Sequence, residues 1–337
     1  MVPLSQQDSR GVELEEKTTQ SHLEIVDDAL INKLEEATQD YWTQGRSHFF
    51  FRKGYGSLHA RYFSESKNKK LLVISPGRGE SSLKYAEFLS DCKGSGFDFL
   101  VLDHRGQGFS ERYSHCLDHG HIENSFDYVS DLKFVVKHFK DLKHYKKCLL
   151  LGHSMGAAIG TLAQIEEDSL FQGMILASAM LKIKTRGVPE IIARAALEGA
   201  KFLNWDKRPL YRNLTDIRES FEENLRTSSL ERFHYHLEVE KRYPQLRMGA
   251  PTLGWVSEGI KLTRRIQKQR EKLSVPILLM QAEKDALVCS RAQDQFAHEV
   301  TNCRIIRLKE SRHEVLSEND DIRSRALVQI KKFIGET

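Results

Sequence analysis

Nowhere in the 337 residues do 18 consecutive apolar residues occur, so a membrane-spanning helix is not expected. The polar first 20 residues hold no apolar run behind a basic start, which argues against a cleaved secretory signal. Cysteine is sparse. Cys92, Cys116, Cys148, Cys289 and Cys303 are odd in number, scattered and never spaced as C-x-x-C, which fits reduced thiols of an intracellular protein better than a disulfide framework or a zinc site. A net charge of only +4 argues against a dedicated nucleic-acid binder. There is no internal repeat and no low-complexity tract. Neither G-x-x-x-x-G-K-[ST] nor a complete G-x-G-x-x-G is present, which removes the usual phosphate cradles.

The chain does contain a rhythm of short apolar runs and amphipathic stretches. After a polar tail, residues 22 to 41 place Leu23, Val26, Leu30, Leu34, Ala37 and Tyr41 on one helical face. Residues 49–52 and 58–63, around a Gly-containing turn, read as a β-hairpin. Strands are then expected at 71–75, 97–102, 148–151, 174–178, 275–280 and 304–308. Helices are expected at 82 to about 92, 124–140, after residue 154, at 291–298 and at 320–334. Strands alternating with helices imply an α/β fold with a mostly parallel, doubly wound sheet. The rhythm breaks between residues 181 and 272, a helix-rich block with 20 Lys and Arg against 12 Asp and Glu. Its net charge is +8, while the rest of the chain carries −4. Helices inserted after the sixth strand of a sheet read as a cap over the strand ends, where ligands of open α/β sheets bind. The expected organisation is a tail and amphipathic helix (1–44), a core in two parts (45–180 and 273–337) and a helical cap (181–272).

One pentapeptide suggests the chemistry. The run Cys148-Leu149-Leu150-Leu151 is too short for a typical helix and enters Gly152-His153-Ser154-Met155-Gly156. Ala157, Ala158, Ile159, Leu162 and Ile165 leave it at helical spacing. A G-x-S-x-G between strand and helix is a nucleophile elbow, whose sharp turn needs small flanking residues.

A serine hydroxyl needs a neighbouring base, and the base needs an acid to orient it. In this architecture both follow the serine, acid first, each just past a strand. Asp285 follows the strand ending at Met280, and His313 follows the strand ending at Leu308. Glu283 is the nearer alternative acid and Glu314 a weaker one. His298 falls within a helix, and His104, His115, His119 and His121 precede the serine. Oxyanion donors are expected from the N–H after the nucleophile, that of Met155, and from Pro76-Gly77-Arg78-Gly79. Proline cannot donate there, and Arg78 is preferred to Gly79.

These motifs, with Asp103-His104-Arg105-Gly106-Gln107-Gly108, Gly120-His121-Ile122, Gly249-Ala250-Pro251-Thr252 and Trp255, resemble the monoacylglycerol lipase and lysophospholipase branch of the α/β-hydrolases. The similarity spans about residues 41 to 333. Two positions depart from many monoacylglycerol lipases, which have His-Gly at Pro76-Gly77 and Gly-Gly at Gly156-Ala157.

The resemblance implies an α/β-hydrolase fold and hydrolysis of a single acyl ester through an acyl-enzyme. Ser154 would attack, His313 relay the proton, Asp285 orient His313, and Arg78 with Met155 hold the oxyanion. Trp255 would contact substrate, and no metal or organic cofactor is needed. A carboxylesterase or thioesterase for short soluble substrates is the enzymatic alternative, and a non-catalytic binding module the alternative of another class. A lipid substrate combined with a basic cap implies reversible contact of a cytoplasmic protein with an anionic membrane surface, the inner face of the cytoplasmic membrane.

Overall fold

The computed structural model describes residues 28–65, 69–113, 119–185, 187–211 and 220–337. Leu23, Val26, His115 and Cys116 lie outside them. The first described helix, α1 (Asp28–Gln44), buries Leu34. A hairpin of β1 (Arg46–Arg52) and β2 (Gly56–Phe63) follows, then β3 (Lys70–Ser75). The stretch expected as one helix at 82–92 divides into a 3-10 turn (Ser82–Tyr85) and α2 (Ala86–Asp91). Next come β4 (Asp98–Leu102), α3 (Phe126–Lys143), β5 (Lys147–His153), α4 (Met155–Glu166) and β6 (Gly173–Ala177).

Three helices occupy the expected cap: α5 (Glu190–Phe202), α6 (Leu230–Arg242) and α7 (Leu253–Gln269). The chain then returns to the sheet with β7 (Ile277–Ala282), α8 (Ser290–Glu299), β8 (Cys303–Leu308) and α9 (Asp320–Glu336). β7 begins two residues later than the apolar run suggests, because Pro276 has no N–H to give the ladder. Its carbonyl still accepts from Met174 N at 3.0 Å.

Among the described residues the strands form one eight-stranded sheet in the order β1-β2-β4-β3-β5-β6-β7-β8. Only β1 with β2 and β2 with β4 pair antiparallel, and the other neighbours are parallel. The inner strands are buried on both faces, as their unbroken apolar runs require. One face packs on α3, α4, α7 and α8 through residues such as Val136, Ile159, Leu262 and Phe296. The other packs on α2 and α9 through Phe88, Leu89, Ile330 and Phe333.

The strand order reverses about β3. After β3 the chain goes to β4 on one side and then crosses to β5 on the other, with Ser75 in register with Gly152. The crevice beyond the carboxyl ends of β3 and β5 is therefore a topological switch point, the favoured place for a ligand in an open sheet. Pro76–Gly79 and Ser154 both sit there.

The expected cap does not behave as one body. Trp255, Leu262 and Ile266 of α7 belong to the same core cluster as α4, whereas α5 rests on α7 and leaves Ile191 and Ile192 exposed. α6 packs beside α1, with Arg242 Nη2 3.2 Å from Glu35.

Candidate active site

The elbow is as sharp as its glycines imply. Ser154 adopts φ 50°, ψ −113°, a left-handed backbone that costs a non-glycine residue about 1–3 kcal/mol and survives only where the surroundings hold it. Its N–H donates to Ala177 O at 2.9 Å, and its carbonyl accepts from Met180 N at 3.0 Å. A Cβ on Gly152 would stand 2.5 Å from Ala157 Cα, and one on Gly156 only 1.9 Å from Ser75 O. Glycine is needed at both positions because backbone passes backbone there.

Asp285 and His313 meet as their positions after β7 and β8 suggest. His313 Nδ1 lies 2.7 Å from Asp285 Oδ2, and both side chains are almost wholly buried. Asp285 Oδ1 accepts from the N–H groups of Leu287 and Val288 at 2.8 and 3.0 Å, so the carboxylate is clamped through both oxygens. Burial raises the Asp285 pKa, but the His313 hydrogen bond and these N–H groups outweigh it and leave the group below the usual carboxylate range. Glu283 accepts from Glu310 N at 3.0 Å and is engaged elsewhere.

The residue preceding Ser154 packs on His313. The rings of His153 and His313 pack with centroids 4.9 Å apart, and His153 Nε2 lies 3.2 Å from His313 O. Ser154 Oγ makes no hydrogen bond to His313 among the described residues. Such links are commonly open without substrate and close in the reacting complex.

Of the loop residues, Gly77 N donates to Glu80 Oε2 at 2.5 Å and Gly79 N to Gln107 Oε1 at 3.2 Å. No described residue accepts from Arg78 N or Met155 N. Gln107 Nε2 returns to Gly77 O and Glu80 O at 2.8 and 3.0 Å, fixing the loop from behind. The Asp103 carboxylate, fully buried, takes His59 Nδ1, Ser82 N and Phe109 N. The Asp103–Gly108 motif thus shapes the loop rather than the chemistry.

His104 is also structural. Its Nε2 lies 2.9 Å from Ser75 Oγ, and burial drops its pKa to about 3. His121 Nδ1 lies 2.8 Å from Thr252 Oγ1, joining core to cap, and Thr252 caps α7 by accepting from Trp255 N. Trp255 is buried at this seam, with the Arg78 guanidinium 5.4 Å from its ring centroid.

A second group of residues was not foreseen from the sequence. Lys84 Nζ bridges Glu80 Oε1 at 2.7 Å and Glu314 Oε1 at 2.6 Å. His153 Nδ1 stands 3.0 Å from Glu80 Oε1, and Tyr85 OH donates to Glu80 Oε2 at 2.8 Å. Desolvation opposes charge on every member, yet opposite charges prevail. Glu80 falls well below the carboxylate range, Glu314 falls to about 2, and His153 and Lys84 are raised. The network joins the segment just after the Pro76–Gly79 loop to the residues flanking both Ser154 and His313. The i, i+4 spacing of Glu80 and Lys84 and a histidine inside the pentapeptide were the only hints of it.

A strained serine between β5 and α4, an Asp-His pair after β7 and β8, and free N–H groups facing the switch point define an α/β-hydrolase. The solved structure of a soluble variant of monoglyceride lipase from Saccharomyces cerevisiae, in complex with a substrate analog, shares this fold. Its TM-score is 0.67 at 13% identity, over 87% of this chain and 96% of that one. Residues 66–320 match the family model described as Hydrolase_4, serine aminopeptidase, S33, and the chain belongs to this family. Lysophospholipase L2 of Escherichia coli K12 is 33% identical over 88% of this chain and 89% of its own length. Monoglyceride lipase of Mus musculus is 27% identical over 69% and 71%.

Proposed function

We propose that the protein is a serine carboxylic-ester hydrolase that cleaves the acyl ester of a single-chain lipid, a lysophospholipid or a monoacylglycerol, through an acyl-enzyme. The observation that carries the reading is the Asp285-clamped His313 packed against the residue preceding a strained Ser154. Ser154 Oγ attacks the ester carbonyl while His313 Nε2 takes its proton. Asp285 holds Nδ1–H, so that Nε2 is the free base, and stabilises the imidazolium that forms. The carbonyl oxygen becomes an oxyanion and accepts from the N–H groups of Arg78 and Met155. Collapse expels the alcohol, which takes the proton back from His313, and a water repeats the sequence to release the fatty acid. Trp255, at the seam of core and cap, borders the path of the lipid.

A substrate of this kind sits in a bilayer or micelle. Among the described residues no helix is long and apolar enough to cross a membrane. Contact is assigned instead to α5 and the turn after it, where Ile191, Ile192, Phe202, Leu203 and Trp205 are exposed beside Lys201, Lys207 and Arg208. Apolar side chains that enter the interface, with cations that meet anionic headgroups, give reversible peripheral attachment at the inner face of the cytoplasmic membrane.

Purified protein assayed against lysophospholipids, monoacylglycerols and short p-nitrophenyl esters tests the reaction. Ser154→Ala should lower turnover of the lipid esters by about 10⁴-fold or more and abolish labelling by a fluorophosphonate. A folded Ser154→Ala with wild-type turnover overturns the acyl-enzyme. Turnover of the short esters alone overturns the lipid assignment.

A further inference from the structure

Near the nucleophile stands a cation, the Arg78 guanidinium, with no carboxylate partner among the described residues. The Arg78 side chain runs from the oxyanion loop into the seam between core and cap. There its Nη2 donates to Gly249 O, and Gly120 approaches so closely that a Cβ would lie 2.6 Å from Nη2. Its Nε is buried and meets no acceptor. Among the described residues, the ionisable groups that bear on it are two tyrosines, Tyr128 and Tyr211, and another cation, Arg112. Desolvation therefore goes unanswered and lowers the Arg78 pKa to about 10.

The three arginines buried outright among the described residues are paired with carboxylates. Arg105 holds Asp131 and Asp127, Arg232 holds Glu87 and Asp320, and Arg323 holds Asp91. A buried charge without a partner costs several kcal/mol, so an arginine kept this way is suited to an anion that arrives with the substrate.

We propose that the Arg78 guanidinium binds the phosphodiester of a lysophospholipid headgroup while the backbone N–H of the same residue serves the ester. This rests on the ester-hydrolase reading above and names which single-chain lipid the site prefers. Reach supports it. The ester carbonyl carbon and the phosphorus of a 1-acyl glycerophospholipid are separated by the same number of bonds as the Arg78 backbone nitrogen and its guanidinium carbon, roughly 7 Å when extended. One residue can thus address both ends of the glycerol. Beyond the Nη2 bond to Gly249 O, the planar guanidinium keeps N–H donors for phosphate oxygens, and its carbon lies 5.4 Å from the Trp255 ring centroid. A monoacylglycerol has only a hydroxyl at that place and leaves the cation unanswered.

Two measurements on the full chain decide the matter. In the first, Ser154→Ala protein is titrated calorimetrically with sn-glycerol 3-phosphate, alone and combined with Arg78→Gln or Arg78→Lys. Glutamine should weaken binding at least 10-fold, and lysine, which keeps the charge and loses the fork, should fall between. In the second, kcat/KM for a lysophospholipid is divided by that for the monoacylglycerol of the same acyl chain. Arg78→Gln should lower this ratio about 30-fold, whatever it does to each rate separately. A merely structural arginine would lower both rates together and leave the ratio alone. Should glutamine prevent folding, the lysine variant reads the same two quantities. An unchanged ratio overturns the proposal, as does glycerol phosphate binding that ignores residue 78. Inorganic phosphate bound through Arg78 with an unchanged ratio would make this a free-phosphate site and overturn the headgroup assignment. If the wild type cleaved neither lipid, the ester-hydrolase reading would fail, and the titration would still decide whether Arg78 holds the phosphate.

Discussion

The charged network beside the site and helix α5 of the cap, a core wall and a cap wall of the molecule, are built on opposite plans. On the core wall, Glu80, Lys84, His153 and Glu314 are charged groups taken out of water, and each is answered by another within about hydrogen-bond distance. On the cap wall, α5 does the reverse. It leaves Ile191 and Phe202 in solvent, 74% and 87% exposed, and places Lys201 in water as well. Charges that are buried and matched permit one arrangement of their loops, which suits groups that must hold an oxyanion within tenths of an ångström. An apolar helix face with solvated charges permits many arrangements, which suits a surface that meets fluid lipid. Rigidity and adaptability are thus divided between two regions of one molecule.

Lys84→Met should strike the core wall hardest. It strands two buried carboxylates, and loss of one partner from such a set costs about 3–5 kcal/mol. The urea midpoint should fall accordingly, with kcat falling as the oxyanion loop and the histidine loop lose their common tie. If stability changed no more than at an ordinary surface site, about 0.5 kcal/mol, the two loops must be held by something else. Gly156→Ala comes next, since its methyl would meet Ser75 O at 1.9 Å and Pro76 O at 2.4 Å. Overpacking of this kind costs about 1–3 kcal/mol, and displacement of the elbow should lower activity further. Gly199→Ala on α5 is the matching change on the cap wall. Nothing lies within 4 Å of the added methyl, and a gain of about 0.5–1 kcal/mol is expected from helix propensity. Equal effects at the two glycines would erase the contrast. The smallest change in stability, within about 0.5 kcal/mol, should come from Ile191→Glu with Ile192→Glu. Cosedimentation with anionic vesicles, by contrast, should fall several-fold. Unaltered vesicle binding would move the membrane contact away from α5.

This division also marks how far the sequence could be read. The elbow was legible because strand, pentapeptide and helix are contiguous, and Asp285 and His313 because each follows directly on an apolar strand. Glu80, Lys84, His153 and Glu314 come from three separate segments, so their meeting depends on the folded sheet and leaves no local pattern. The cap's charge was a poor guide to its packing. Arg264, one of the residues behind the +8, lies 2.9 Å from Glu190, and Arg270 pairs with Glu299. The same count concealed the apolar stripe that sinks α7 into the core. For Arg78 the sequence pointed to its backbone N–H, while the lack of a carboxylate partner for its side chain among the described residues emerges only when core and cap are set together.

The order of the site residues along the chain has a consequence for synthesis. His153 and the residue it packs against, His313, are 160 positions apart, and β7 and β8 both lie in the interval. At about 5–20 residues per second, the histidine leaves the ribosome roughly 8–32 s after the elbow. β6 stays an open sheet edge until β7 emerges, and on the proposed mechanism the serine has no base until His313 follows. A nascent chain that has not yet extruded His313 would, on that mechanism, be inert toward lipids however close to a membrane it is held.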